Sequence, residues 1–247
     1  MQPPRSTRKR ALSYASSETY TSCRAARAAG ETSDGLYYLG GAAGTITAYC
    51  DMTRDGGGWM LLLTQTSTSD NFEGPVPGTL WTGVNPFAAW SLNENSPSVT
   101  SPYVRDWTSS GVGLSPTAGD EFMIARGTSS SAFVRLVLTK FCGWDQRSDS
   151  DCGTTFHRGY GRGSLYNSGG VKVHATAYFR AQCCRSQSLT ADAVSFGTSP
   201  NSANGNTHDA WGGAGPTDTG KFYWGKGNVV PGPMSVFYRE AARPPLG

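Results

Sequence analysis

The chain is short of charge. Only 16% of its 247 residues are Asp, Glu, Lys or Arg, against about a quarter in an average domain, and the net charge is +3. Part of that excess sits in Arg5, Arg8, Lys9 and Arg10. The body is therefore nearly neutral and carries no electrostatic footprint for nucleic acid. Long apolar runs are missing as well. Trp59 to Leu63 is among the longest, far from the ~20 residues of a membrane span. The N-terminal stretch MQPPRSTRKRALSY lacks the apolar region of a secretory signal. Histidine is scarce, at three residues. His157, His174 and His208 are scattered, and His174 stands in an alternating apolar–polar stretch where a structural role suits it. No G-x-S-x-G occurs and no motif pairs a nucleophile with a base, so nothing points to an enzyme. No C-x-x-C occurs either, which argues against a zinc knuckle.

Glycine and aromatics are present in quantity. The chain has 32 Gly and 14 Pro, roughly a fifth of its length against about 12% on average. It also has 7 Trp, 11 Tyr and 10 Phe, too many for a disordered chain. Short strands joined by long, structured loops satisfy both observations. Six cysteines, an even number, favour disulfides in an oxidising compartment, so a secreted or extracellular location is expected. With no visible signal, the chain reads as a fragment, a processed product or a wrongly assigned start.

Periodicity then places the elements. Residues 1–20 read as a basic, Ser-rich tail and residues 241–247 as a second tail. Its RKR cluster reads as solvated. SCRAARAAG opens on Ser22, a helix-capping residue, and closes on Gly30, so it predicts a short helix. DGLYYLGG, TITAYCDM, WMLLLTQT and VKVHATAYFRA predict strands, the third central and buried. EFMIARG and AFVRLVLTKF predict a hairpin, and GPMSVFYRE a final strand. Residues 66–119 read as ordered loops and short helices, and 142–170 as another long loop. Residues 197–228, rich in Gly, Asn, Asp and aromatics, are too long for a passive connection. Trp59, Trp81 and Trp107 read as core.

One motif needs a physical reason of its own. In YCDMTRDGGGW the chain must reverse between Asp51 and Trp59. Gly56, Gly57 and Gly58 supply positive φ and let a neighbouring backbone approach, with Trp59 folding back as a lid. No helix and no Lys-Ser/Thr follows, so this is no phosphate loop.

These residues carry a resemblance. The SC at 22–23, DGLYYL at 34–39, YCDMTRDGGGW at 49–59 and SVFYRE at 235–240 resemble the fibrinogen-related domain, the C-terminal globular module of fibrinogens, ficolins and tenascins. The intelectin (X-type lectin) branch looks closer. The resemblance implies an α+β fold over residues 21–240: a fibrinogen C-terminal-like domain, a mixed or antiparallel sheet with short helices and long ordered loops. It implies a secreted, disulfide-bonded, non-catalytic, calcium-dependent binding module whose pocket lies in the C-terminal loops. It also implies a Cys23–Cys50 disulfide, a loop worth about 3.5 kcal/mol by chain entropy. Cys183 and Cys184 are adjacent and point to opposite faces of a strand. They are therefore expected to bond Cys142 and Cys152 in an undetermined order, the rival being a local Cys142–Cys152 bridge. The family's late bridge near the ligand loop has no counterpart, since no cysteine follows Cys184.

Calcium wants six to eight oxygens, and two stretches offer them. WDQRSDSDCG supplies Asp145, Asp149 and Asp151 and resembles the Asp-rich loop of fibrinogens, without its full pattern; a solvated acidic turn explains it equally well. NGNTHDAWGGAGPTDTGKFYWGKGN, residues 204–228, resembles the intelectin ligand loop. By that resemblance Asn206, His208 and Asp218 ligate Ca2+ and a sugar diol completes the shell. Asp209 is a substitute for Asp218, which is one methylene shorter than the family's Glu. Trp211, Tyr223 and Trp224 would wall the sugar. Asp70 is a fainter calcium candidate. The expected function is a calcium-dependent lectin for glycans or glycoproteins, with self-association possible. The alternative is a structural or protein-binding fibrinogen-like module, for which an exposed apolar patch would suffice.

Overall fold

In a computed structural model of the full chain, the described residues are 14–41, 44–66, 95–105, 114–126, 133–143, 159–180, 194–197, 210–214, 222–224, 228–230 and 234–242, with Asn93, Trp107 and Cys152. Between 210 and 230 the description is of the backbone. The elements run β1 (Tyr14–Tyr20), α1 (Cys23–Ala28), β2 (Gly35–Gly41), β3 (Gly44–Asp51), a 3-10 turn (Arg54–Gly56), β4 (Trp59–Gln65) and β5 (Tyr103–Val104). They continue with β6 (Glu121–Arg126), β7 (Phe133–Phe141), β8 (Gly159–Asn167), β9 (Lys172–Arg180), β10 (Val194–Gly197), β11 (Ala210–Ala214), β12 (Phe222–Trp224), β13 (Asn228–Val230) and β14 (Met234–Arg239). One mixed sheet holds them all, ordered β1-β2-β3-β4-β14-β6-β7-β8-β9-β10-β11-β12-β13, with β5 paired to β4. The β1–β2 pair is parallel; the others are antiparallel.

The helix forms for the reason its ends suggest. The Ser22 hydroxyl accepts from the Ala25 amide at 3.0 Å, and Gly30, at φ +103°, takes the left-handed position just past the helix. The helix buries Cys23 and Ala26 against the sheet.

The glycine turn is more constrained than a reversal alone requires. Asp55, Gly56, Gly57 and Gly58 all have positive φ, at 48°, 83°, 80° and 77°. A Cβ on Gly57 would stand 2.1 Å from the Met52 carbonyl oxygen, and one on Gly58 3.0 Å from the Arg24 Cα. Trp59 is fully buried and its indole N–H donates to the Arg54 carbonyl at 2.9 Å. Buried Asp51 caps the turn, accepting from the Arg54 amide at 2.8 Å and pairing with the Arg54 guanidinium at 2.8 Å. Burial pushes its carboxyl up from the ordinary range, against the pull of Arg54.

β14 fills the slot between β4 and β6. Val236 registers with Leu63 on one side and Ile124 on the other, Ser235 with Thr64 and Ala125. Residues 59–63, 122–125 and 234–237 are buried on both faces of the sheet. Arg239, at the end of β14, lies 3.9 Å over the Trp59 ring. It donates to Glu121 at 2.6 Å and to the carbonyls of Asp55 at 2.7 Å and Gly57 at 3.0 Å. One strand further out, buried Asp120 accepts from the Tyr238 hydroxyl at 2.8 Å and the Ala241 amide at 2.7 Å.

The predicted helix, the hairpin β6–β7 and strands β2, β3, β4, β9 and β14 are where the periodicity puts them. Trp59 and Trp107 are core residues; Trp81 lies outside the described residues. Three expectations are corrected. Residues 14–20, assigned to the tail, form β1, because their extended run finds a partner in β2. Residues 159–167, assigned to a loop, form β8. Its glycines hide the strand pattern, yet they let it sit close to β7: a Cβ on Gly163 would meet the Val137 carbonyl oxygen at 1.9 Å. Residues 197–228, read as one long connection, contain β11 and β12 and are bounded by β10 and β13.

Two predictions follow from this packing. Gly57→Ala combines a forbidden φ with a backbone clash, so it costs more than the ~1 kcal/mol of a simple Gly→Ala penalty. Gly30→Ala, with open space around its Cβ, costs about that penalty alone. Urea unfolding of the two variants ranks them, and equal midpoints contradict the packing argument.

The second concerns alkali. Burial, then neighbouring carboxylates, pushes the Tyr49 phenol up to about 12, with Tyr37 also at about 12. Burial alone pushes Tyr160 well above the ordinary value. These groups hold protons that the unfolded chain releases near ~10. Their contribution to stability is complete below about pH 10 and is lost as pH rises toward 12. A titration of tyrosinate absorbance will show a late fraction that ionises together with loss of near-ultraviolet dichroism. Ionisation of every tyrosine near pH 10 in a folded chain contradicts this.

Candidate functional site

The segment singled out for ligand binding lies on the flank of the sheet beyond β9. Here the ladder is continuous. Phe179, Phe196, Gly212, Trp224 and Asn228 form one row across five strands, and Arg180, Ser195, Gly213, Tyr223 and Val229 form the next. Phe179 and Phe196 are buried with ring centroids 5.8 Å apart. Trp224 therefore registers with a core-facing row, and Tyr223 with the row on the opposite face. Trp211 sits where the β10–β11 register shifts, between the Phe196–Gly212 and Gly197–Ala210 pairs. Bulges of this kind commonly re-aim a side chain beside a site.

Asn206, His208, Asp209 and Asp218 lie outside the described residues, as do Asp70, Asp145, Asp149 and Asp151. The strands they connect are nonetheless informative. The 198–209 connection joins Gly197 to Ala210, which are ladder partners. The 225–227 connection joins Trp224 to Asn228, also partners, at the same end of the strands. The 215–221 connection, which carries Asp218, joins Ala214 to Phe222 at the other end. β11 spans about 13 Å between those ends. In sequence, His208 and Asp209 precede β11 and Asp218 follows it. The far end is also where β7 stops and β8 starts, since Phe141 registers with Gly161 and Gly159 with Arg180.

That far end carries the second disulfide. Cys142 bonds Cys152, with 6.2 Å between their Cα atoms, a normal span for a disulfide. The Cys142 amide donates to the Tyr160 carbonyl at 2.7 Å, anchoring the bridge to β8. The bridge closes the loop holding Asp145, Asp149 and Asp151, with a loop-entropy contribution of about 2.7 kcal/mol. This corrects the expected pairing of Cys142 and Cys152 with Cys183 and Cys184, which lie outside the described residues. The rival local bridge forms instead. Cys23 bonds Cys50 across α1 and β3, with Cα atoms 5.5 Å apart, as the resemblance implied. Among the described residues no three His, Cys, Asp or Glu side chains converge as a metal site. No helix among them is long and apolar enough to cross a membrane.

Residues 19–75 match the family described as fibrinogen beta and gamma chains, C-terminal globular domain. The mixed sheet with few helices is a fibrinogen C-terminal-like fold. Two solved structures are similar in outline. The fibrinogen-like globe domain of human ANGPTL6 is 13% identical, with a TM-score of 0.43, over 95% of this chain and 100% of that one. The fibrinogen-like globe domain of human ANGPTL2 is 11% identical, with a TM-score of 0.42, over 90% and 100%. No curated protein matches the chain. Fibrinogen-like domains are typically extracellular modules, and both described disulfides are consistent with secretion.

Peptide mapping of unreduced secreted protein tests this framework. It will recover a Cys23–Cys50 peptide and a Cys142–Cys152 peptide. Recovery of Cys142 or Cys152 joined to Cys183 or Cys184 contradicts the bridge between β7 and β8.

Proposed function

We propose that this chain is a non-catalytic extracellular binding module that takes glycans with the help of calcium, in the manner of the intelectin branch. The observation that supports this reading is the order of the flank strands. The chain between Gly197 and Ala210, which contains Asn206, His208 and Asp209, connects two ladder partners, and the chain between Trp224 and Asn228 connects two more at the same end of the strands. Neutral oxygen and nitrogen donors, one carboxylate and aromatic residues are the elements of a calcium-bridged diol site. Asp209 is the acid adjacent to His208 in sequence, and Asp218 is the alternative acid. Tyr223 and Trp224, on adjacent register rows, are the candidates for the sugar wall.

A protein-binding role is the second reading. What favours it is the extent of the family match: residues 19–75 take in α1, the glycine turn and β2–β4 but nothing of the ligand flank.

His208→Ala and Asp209→Asn will abolish calcium-dependent retention on immobilised glycans and leave the Cys23–Cys50 core folded; Asp218→Asn will weaken it less. Retention will also decline below about pH 6.5, the reference value for imidazole, because a metal-bound His must be neutral. Calcium at about a hundred times its dissociation constant adds roughly 2.7 kcal/mol, so chelator will lower Tm by roughly 5–10 °C. A glycan array blank with and without calcium, and an unmoved Tm, favour the protein-binding reading.

A further inference from the structure

Two arginines among the described residues are buried, Arg54 and Arg105. They are treated differently. Arg54 has a carboxylate, Asp51, at 2.8 Å. Arg105, the residue after β5, is 9% exposed, and among the described residues no carboxylate pairs with it. Its Nε and Nη1 are buried without a hydrogen-bond acceptor. The third nitrogen, Nη2, has the Asn95 Oδ1 at 3.4 Å, a long contact for a charged donor.

The surroundings hold Arg105 in place without neutralising it. Its guanidinium lies 5.9 Å from the centroid of the Trp107 ring. Trp107 is itself fixed: it is fully buried, its indole N–H donates to the Leu62 carbonyl at 2.9 Å, and its own carbonyl accepts from the Leu114 amide at 2.8 Å. On the other side, exposed Asn95 sits in a turn in which the Ser96 amide donates to the Asn93 carbonyl at 2.7 Å. The Asn93 side-chain amide pins that turn to the Pro102 carbonyl at 2.8 Å. An aromatic face attracts a cation but carries no net charge, and the Asn95 amide is neutral. A guanidinium does not shed its proton in a protein. A buried ion with neither counter-charge nor a full set of acceptors is strongly destabilising.

We propose that Arg105 is the seat of a structural anion site that takes one small monovalent anion of halide size, such as chloride. Each of the two open edges of a guanidinium presents a pair of N–H groups. An anion on either edge meets Nη2 together with Nε or Nη1 and supplies the acceptor that Asn95 provides only weakly. One negative charge matches one guanidinium. Burial sets the size: with 9% of Arg105 exposed, a sugar or a peptide chain cannot reach Nε or Nη1. The exposed Asn95 side is the route of exchange with solvent. Because β5 pairs with β4, the ion belongs to the scaffold around the glycine turn. It is separate from the flank strands and from calcium.

The test measures Tm of the full chain as sodium chloride replaces sodium gluconate at constant ionic strength, with chelator present throughout. Gluconate is too large for the site. Chloride should raise Tm along a saturating curve, by about 3–6 °C once it reaches roughly ten times its dissociation constant. Asn95→Asp places a carboxylate beside Nη2 as an internal counter-ion, at an exposed position. It should raise Tm in gluconate and remove most of the rise with chloride. Arg105→Met removes the cation and should melt alike in the two salts. Salt effects on the rest of the surface are common to parent and variants, so the difference between them isolates Arg105. If Arg105→Met folds poorly, Asn95→Asp decides the question alone. A parent whose Tm does not rise with chloride, or rises without saturating, overturns the proposal. So does a chloride rise that persists at full size in Asn95→Asp or in folded Arg105→Met.

Discussion

The structure depends on one insertion: β14 between β4 and β6. Without it the chain is two sheets, each with an open apolar edge. With it, residues from the two ends of the sequence share one ladder. Arg239 fixes the insertion at its end. Its guanidinium covers Trp59, meets Glu121 on β6 and reaches the carbonyls of Asp55 and Gly57. The glycine turn and the last strand thus stabilise one another. Removal of either leaves buried charge or unpaired carbonyls behind, which is costly in a low-dielectric interior. The backbone accepts four consecutive positive φ angles here because the surrounding contacts over-determine them.

Much of this was legible in the residues themselves. Three glycines before a tryptophan called for positive φ and close backbone approach, and Gly57 has both. Ser22 and Gly30 marked the ends of α1. Alternation marked β3 and β9, and two apolar runs marked the β6–β7 hairpin. What escaped was hidden by composition. GYGRGSLYN reads as a loop because glycine disfavours strands, yet Gly161 and Gly163 are there to let β8 lie against β7. The β10–β13 strands are three to five residues long and separated by Gly- and Asn-rich connections, so no period could accumulate. The Cys142–Cys152 pairing is local, ten residues apart, which the adjacency of Cys183 and Cys184 could not reveal.

The candidate ligand residues show how sequence spacing and spatial spacing part company. His208 and Asp218 are ten residues apart in sequence, but a whole strand intervenes. Asp209, adjacent in sequence, also attaches to the same end of β11. The scaffold and the site divide the chain accordingly. The family match and the glycine turn lie on one side of β14, and the flank strands lie on the other. Recognition can vary on that flank without disturbing the ion-pair cluster around Trp59.

The position of β14 in the chain has a consequence for biogenesis. The strand at the middle of the ladder is made after β1 to β13. Until residues 234–239 leave the ribosome, β4 and β6 each present an unpaired apolar edge, the kind of surface that recruits other chains. The nascent protein must hold two half-sheets apart, bridged by sequence-distant contacts that form slowly. A premature stop before Met234 would then yield more than a shortened protein. It would release both halves with their edges open, and such a product is a substrate for chaperones and proteases.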